Sequence, residues 1–195
     1  MHFDGLAIVT SVRIHGEHGS VVRVLTADHG LLAGYVRGGR SRRLRPILVP
    51  GNSVKVVLHA RTETQLAAMT AELVHGRAGL MAEPLASAAL EWTTALVAAT
   101  LPEGQPYPRI YAALDGVLNA VEAASSARGW AFALVQYESV VLASLGYGAE
   151  AEDAPLTEAL RRNGQRLGDT VLIDRRAPLL AARERLVERL TRAVA

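Results

Sequence analysis

The feature that most limits what this chain can fold into is its early rhythm, five runs of strand-forming residues within about the first 75 positions, each closed by a turn signal. Leu6 to Val12 and Val21 to Thr26 are rich in β-branched residues, and His15-Gly16-Glu17-His18-Gly19 between them has the glycines of a turn. Thr26-Ala27-Asp28-His29-Gly30 repeats that chemistry, after which Leu31 to Val36 is extended until Gly38-Gly39 interrupts it. Ser53 to Leu58 alternates Val54, Val56 and Leu58 against Ser53, Lys55 and Val57, and Gln65 to Leu73 completes a fifth strand. Five such strands suit a closed antiparallel barrel, of which the OB-fold is the smallest common form; an SH3-like barrel fits the same pattern.

After Gly79 the texture changes to alanine- and leucine-rich sequence with helical spacing. A helix is expected from Pro84, a residue suited to a first turn, with Leu85, Ala89, Trp92 and Leu96 on one face. Leu101-Pro102-Glu103-Gly104-Gln105-Pro106 ends it, and a second helix from Pro108 repeats Ile110, Leu114, Val117, Leu118 and Val121 at threes and fours. Trp130 to Leu145 reads as a third, with Gly146 as its C-cap, and Pro178 to Ala195 as a last one that turns Leu179, Leu186, Leu190 and Val194 to a core. Gly148 to Pro155 is a polar, acidic break. The expected class is therefore α+β, an OB-like barrel over residues 1–79 followed by an α-helical domain over 80–195.

The net charge of +2 conceals a division. Residues 1–80 carry ten Lys and Arg against five Asp and Glu, while 81–195 carry eleven against fourteen. All six histidines, His2, His15, His18, His29, His59 and His75, lie in the basic part. With no cysteine, disulfides and thiolate metal sites are excluded and nothing points to an oxidising compartment. The opening Met1-His2-Phe3-Asp4-Gly5 lacks a charged stretch followed by an apolar one, and Glu91, Thr93 and Thr94 break the most apolar later segment. The expected setting is cytoplasmic, with no membrane span.

The sharpest local feature is Tyr35-Val36-Arg37-Gly38-Gly39-Arg40-Ser41-Arg42-Arg43-Leu44-Arg45-Pro46, five arginines in nine residues where a strand exits through glycines. Each guanidinium offers a fork of donors to phosphate oxygens, and glycine lets the backbone come close. Placed on a basic barrel, the segment points to nucleic acid; Arg13, Arg23 and Lys55 on expected strands extend the surface, and Tyr35 is either a base-stacking platform or part of the barrel core. Gly34 to Ser41 falls within one residue of phosphate-loop spacing, but that loop must open into a helix, and Pro46 and Pro50 follow too soon. His15, Glu17 and His18 supply zinc-type ligands without a convincing third partner, and their glycines favour an exposed turn. There is no Gly-x-Ser-x-Gly elbow, paired-carboxylate motif or thiol nucleophile, so neither catalysis nor a cofactor is expected. Trp92, Tyr111, Trp130, Phe132 and Tyr137 suit a helical core better than a peptide groove.

Several of these stretches, in order, resemble the RecO family of DNA-repair proteins. Gly5-Leu6-Ala7-Ile8-Val9 with His15-Gly16-Glu17 is similar to its first strand and turn, and Leu25-Thr26-Ala27-Asp28-His29-Gly30 to its next hairpin. Val36 to Pro46 followed by Pro50-Gly51-Asn52 resembles alphaproteobacterial members, and Tyr137-Glu138 with Leu145-Gly146-Tyr147-Gly148 the family's central helix and its end. The resemblance covers about residues 1–150 and implies an N-terminal OB-fold, a helical C-terminal domain, binding and annealing of single-stranded DNA with affinity for double-stranded DNA, association with the nucleoid, and help in replacing single-strand-binding protein with RecA in concert with RecR. Two departures stand out. Many relatives place a cysteine zinc site after the Leu-Gly-Tyr-Gly segment, which this chain cannot form, so no metal is expected and the chain reads as a shortened version. Where many relatives have arginine suited to an acidic protein tail, this chain has Val135 and Gln136, so docking of the single-strand-binding protein tail would fall to Arg109 or Arg128.

The main expectation is a non-catalytic DNA-binding mediator whose phosphate contacts are Arg37, Arg40, Arg42, Arg43 and Arg45. The alternatives are a protein-interaction adaptor whose basic loop meets an acidic partner, and an RNA-binding OB protein.

Overall fold

The structure, a computed structural model, describes residues 2–60, 65–148 and 154–194. The chain divides into two compact units, one formed by Met1–Gly79 with Leu101–Pro108 and the other by Leu80–Thr100 with Arg109–Ala195. The first is the barrel: β1 (His2–His15), β2 (Gly19–Thr26), β3 (Gly30–Val36), β4 (Ser53–His59) and β5 (Ala67–His75) close in the order β1-β2-β3-β5-β4. β1 is the long strand that makes closure possible. Its first half pairs antiparallel with β4 from His2↔His59 to Ile8↔Ser53, and its second half with β2 from Ile8↔Leu25 to His15↔Gly19. A bulge between Val9 and Ser11 bends the strand at the change of partner.

The last seam joins β3 to β5 in parallel through Gly34↔Ala67 and Tyr35↔Ala68. Gly34 is needed there, because a Cβ at that position would stand 2.7 Å from the Cβ of Met69. This strand order with a parallel β3–β5 closure is that of an OB-fold, which decides against the SH3-like alternative. Period-two alternation sends Ala7, Val9, Val22, Val24, Val54, Val56 and Leu58 inward to one core. Leu44, Ile47 and Leu48, from the segment after β3, pack against the same core and plug one end of the barrel.

Leu101–Pro108 belongs to the barrel although a helix intervenes in the sequence. Glu103 bridges to Leu31, the Gly104 amide donates to the Leu31 carbonyl at 2.9 Å, and Glu103 pairs with Arg23 at 2.8 Å.

The second unit contains α1 (Pro84–Thr100), α2 (Pro108–Ala123), α3 (Ala131–Ser144), α4 (Leu156–Arg166) and α5 (Ala177–Val194), with a π-turn over Leu167–Val171 after α4. α4 was not anticipated from the sequence, because it buries only Ala159, Leu160 and Asn163 and is otherwise polar. α3 buries Leu134, Val135, Tyr137, Glu138, Ser139, Val141 and Leu142, a spread wider than one face, and is therefore the central helix. Its Glu138 is fully buried and accepts from Trp92 Nε1 of α1 at 3.0 Å and from Arg183 of α5 at both oxygens, 2.7 Å each. Arg183 also donates to the Leu160 carbonyl of α4 at 2.8 Å, so one ion pair ties four helices. Beside it the Tyr137 hydroxyl donates to the Thr93 carbonyl, and burial together with the Glu138 charge holds the phenol well above its ordinary pKa.

Candidate nucleic-acid interface

The arginine-rich segment is a run of consecutive turns, not a free loop. Gly39 N–H returns to Val36 O, Ser41 N–H to Gly38 O at 2.8 Å, Arg45 N–H to Ser41 O at 3.0 Å and Leu48 N–H to Leu44 O at 3.0 Å. The last two are helix-like spans, and they turn Leu44, Ile47 and Leu48 to the barrel while Arg37, Arg42, Arg43 and Arg45 stand in solvent. The side chains of those four make no hydrogen bond or ion pair among the described residues. Arg40 is also exposed but donates from Nη1 to the Glu17 carbonyl at 2.8 Å, which ties the turn to the tip of the β1–β2 hairpin.

What holds the turn in place is Asn52, a residue 1% exposed. Its Nδ2 donates to the carbonyls of Pro46 at 2.9 Å and Ile47 at 3.0 Å, and its Oδ1 accepts from the Arg77 amide at 2.8 Å. The Arg77 side chain, also buried, donates to Gly51 O at 2.7 Å and Ser53 Oγ at 3.0 Å. Neither residue was singled out for such a role from the sequence; the Pro-Gly-Asn run before a strand was the available signal for Asn52, and nothing marked Arg77 out from the exposed arginines. Since buried polar groups need partners, this network fixes the backbone that carries the cations.

Tyr35 lies on the outside of the barrel, which settles whether it belongs to the core. Its ring covers Gly19, where a Cβ would fall 2.1 Å from the Tyr35 hydroxyl, and meets His15 edge-on with centroids 5.9 Å apart. The register Arg13↔Val21↔Tyr35 puts Arg13 in the same outward row, exposed and unpaired among the described residues. Tyr35, Arg13 and the arginine turn thus gather at one end of the barrel, next to the hairpin tip.

Two other expected contributors do not join them as free cations. Arg23 is on the neighbouring outward row but is bound to Glu103. Lys55 sits on the β1–β4–β5 face, in the row Leu6↔Lys55↔Glu72 and 3.5 Å from Asp4. In the helical unit, Arg109 occupies the second position of α2, and Arg128 lies in the short turn that follows the other end of that helix. Arg128 donates to the Val194 carbonyl at 2.5 Å. Of the helical aromatics, Trp92, Trp130 and Tyr137 are buried, Tyr111 is half-buried and Phe132 is exposed. Among the described residues no three metal-ligating side chains converge, and no helix is long and apolar enough to cross a membrane.

Comparison with known proteins gives two family matches, the N-terminal model of recombination protein O over residues 1–77 and its C-terminal model over 81–158. Curated relatives named DNA repair protein RecO include those of Gluconacetobacter diazotrophicus (36% identical, covering 80% of this chain and 63% of the relative), Ruegeria sp. TM1040 (38%, covering 77% and 61%) and Rhodospirillum centenum (40%, covering 77% and 59%). The chain spans about three fifths of the length of the curated relatives it matches.

Proposed function

Because the chain belongs to the recombination protein O (RecO) family, we propose that it is a non-catalytic DNA-repair and recombination mediator that binds and anneals single-stranded DNA and, with RecR, helps RecA replace single-strand-binding protein. The observation that carries the DNA-binding part is the ordered turn bearing four guanidiniums unpaired among the described residues, Arg37, Arg42, Arg43 and Arg45, beside the half-buried ring of Tyr35. OB barrels bind oligonucleotides on the strand 2–3 face and its neighbouring loops, and here the hairpin tip, Arg13 and Tyr35 occupy that region. Arg40 contributes the part of its guanidinium not engaged by Glu17. Arg23 and Lys55, each facing a carboxylate, add little. Contacts to phosphate alone give no sequence preference and extend to double-stranded DNA, which suits association with the nucleoid. For the single-strand-binding protein tail the candidate cations are Arg109 or Arg128, the latter already donating to the Val194 carbonyl.

A salt titration tests the reading. Affinity for single-stranded DNA should fall with salt by a log–log slope of roughly 0.7 per phosphate neutralised, and Arg37, Arg42 and Arg43 replaced together by alanine should flatten the slope by about 2. Annealing of complementary oligonucleotides without nucleotide should slow in the same variant. An unchanged slope sinks the assignment of the turn, and absence of annealing in the parent chain favours an acidic-protein adaptor.

A further inference from the structure

Along β1, alternation after the bulge turns Val12 and Ile14 to the inner side of the barrel. Val12 packs against the core, yet Ile14 is 69% exposed. The cause is geometric. The β1–β2 hairpin carries Ile14 past the cover: Ile14 pairs with Ser20 and Ser20 with Val36, and the turn after β3 buries those two, with Gly39 packed on Ser20, but leaves Ile14 open. The gap is a cleft of about 340 Å³ in which Val12, Ile14 and Leu48 supply the apolar part of a lining that is otherwise polar, with Gly39, Arg40 and Arg45 on its other sides. Ser20 lines it too; the residue is 2% exposed and its hydroxyl has no hydrogen-bond partner among the described residues.

An occupant that satisfies these groups has flat apolar faces, a polar edge for the Ser20 hydroxyl, and negative charge attached for the two guanidiniums. From this we infer that the cleft receives one unstacked nucleobase of a single strand, with the adjoining phosphates on Arg40 and Arg45; the inference rests on the DNA-binding reading above. Proteins that hold an extruded base do so by hydrogen bonds to its edge and by packing apolar or aromatic side chains on its faces. A paired, stacked base in a duplex cannot enter, so the cleft adds affinity for single strands that the phosphate contacts do not. An acidic peptide with an apolar side chain matches the walls and the cations, but the neighbouring Arg37, Arg42 and Arg43 suit a backbone whose negative charge repeats at regular intervals.

The test compares binding of the full chain, by fluorescence anisotropy, to oligothymidylate and to an abasic strand of equal length with the same phosphates. The parent should prefer oligothymidylate about tenfold, the worth of roughly one stacked base. Ile14→Ser, at a position too exposed to be needed for folding, should remove most of that preference and leave the salt slope unchanged. Equal binding of both strands by the parent with a steep salt slope overturns the cleft and leaves the phosphate reading intact. A tenfold preference that survives Ile14→Ser places the base elsewhere and overturns it as well, as does Ile14-dependent binding of an acidic peptide without change in base preference. No binding to either strand overturns both readings.

Discussion

Between Arg37 and Arg45 five guanidiniums stand in solvent and, among the described residues, Arg40 alone of them makes a hydrogen bond, whereas Arg183 in the helical unit is 3% exposed and bonds both oxygens of Glu138 as well as the Leu160 carbonyl. The residue type is the same and the free-energy role is opposite. A buried pair gains Coulomb energy against a large desolvation cost, so its value lies in how badly the fold does when one partner is missing. An exposed cluster contributes little to folding, and its mutual repulsion is relieved only when an anion arrives. The difference teaches that positive charge on this chain must be sorted by what already faces it.

The comparison breaks hardest at the buried pair. Glu138→Ala leaves the buried Arg183 charge without its carboxylate and Trp92 Nε1 without its acceptor, and should cost about 3–5 kcal/mol in urea unfolding. Glu138→Leu combined with Arg183→Met should cost less than either single change, because no charge is stranded. An equal loss in the double variant would show that the pair itself, not its imbalance, carries the stability.

A smaller effect sharpens the contrast at the basic end. Asn52→Ala removes no charge but deletes the donors to Pro46 O and Ile47 O and the acceptor for the Arg77 amide. Stability should fall by about 1–3 kcal/mol, and affinity for single-stranded DNA should drop while the folded protein keeps its net charge. Retained affinity would mean that the cations act without being held in place. The least effect belongs to the paired barrel cations. Lys55→Ala, at a position already facing Asp4, should change DNA affinity less than Arg13→Ala does, as read from parallel salt titrations. A larger loss at Lys55 would put the strand on the β1–β4–β5 face.

The barrel is legible because its alternation and its turn glycines are local signals, while the strand pattern suits two barrel topologies and the parallel β3–β5 seam, which joins distant residues, is what separates them. The arginine cluster was legible as a composition; its order was not, since Asn52 and Arg77 act on it from beyond its own sequence. Pairing of Lys55 with Asp4 depends on β1 meeting β4 at barrel closure, a contact of residues some fifty positions apart. In the helical unit, Arg183 sits on the stripe of Leu179, Leu186 and Leu190, four after the first and three before the second, so a charged residue on an apolar face was there to be read. Its partner could not be, because Glu138 is forty-five positions away. The helix over Leu156–Arg166 gives no clear sequence signal because its apolar face is only a few residues wide.

The return of Leu101–Pro108 to the barrel has a consequence for how these units can be inherited or cut. The chain passes from one unit to the other three times, after Gly79, after Thr100 and after Pro108. Neither unit is therefore a continuous cassette. A fragment ending at residue 79 lacks the strand-like bridge at Leu31 and the Glu103 carboxylate that Arg23 bonds, and would present Leu31, fully buried in the whole chain, without the segment bonded to it. Recombination at one breakpoint cannot exchange this barrel intact; the excursion through α1 would have to travel with it.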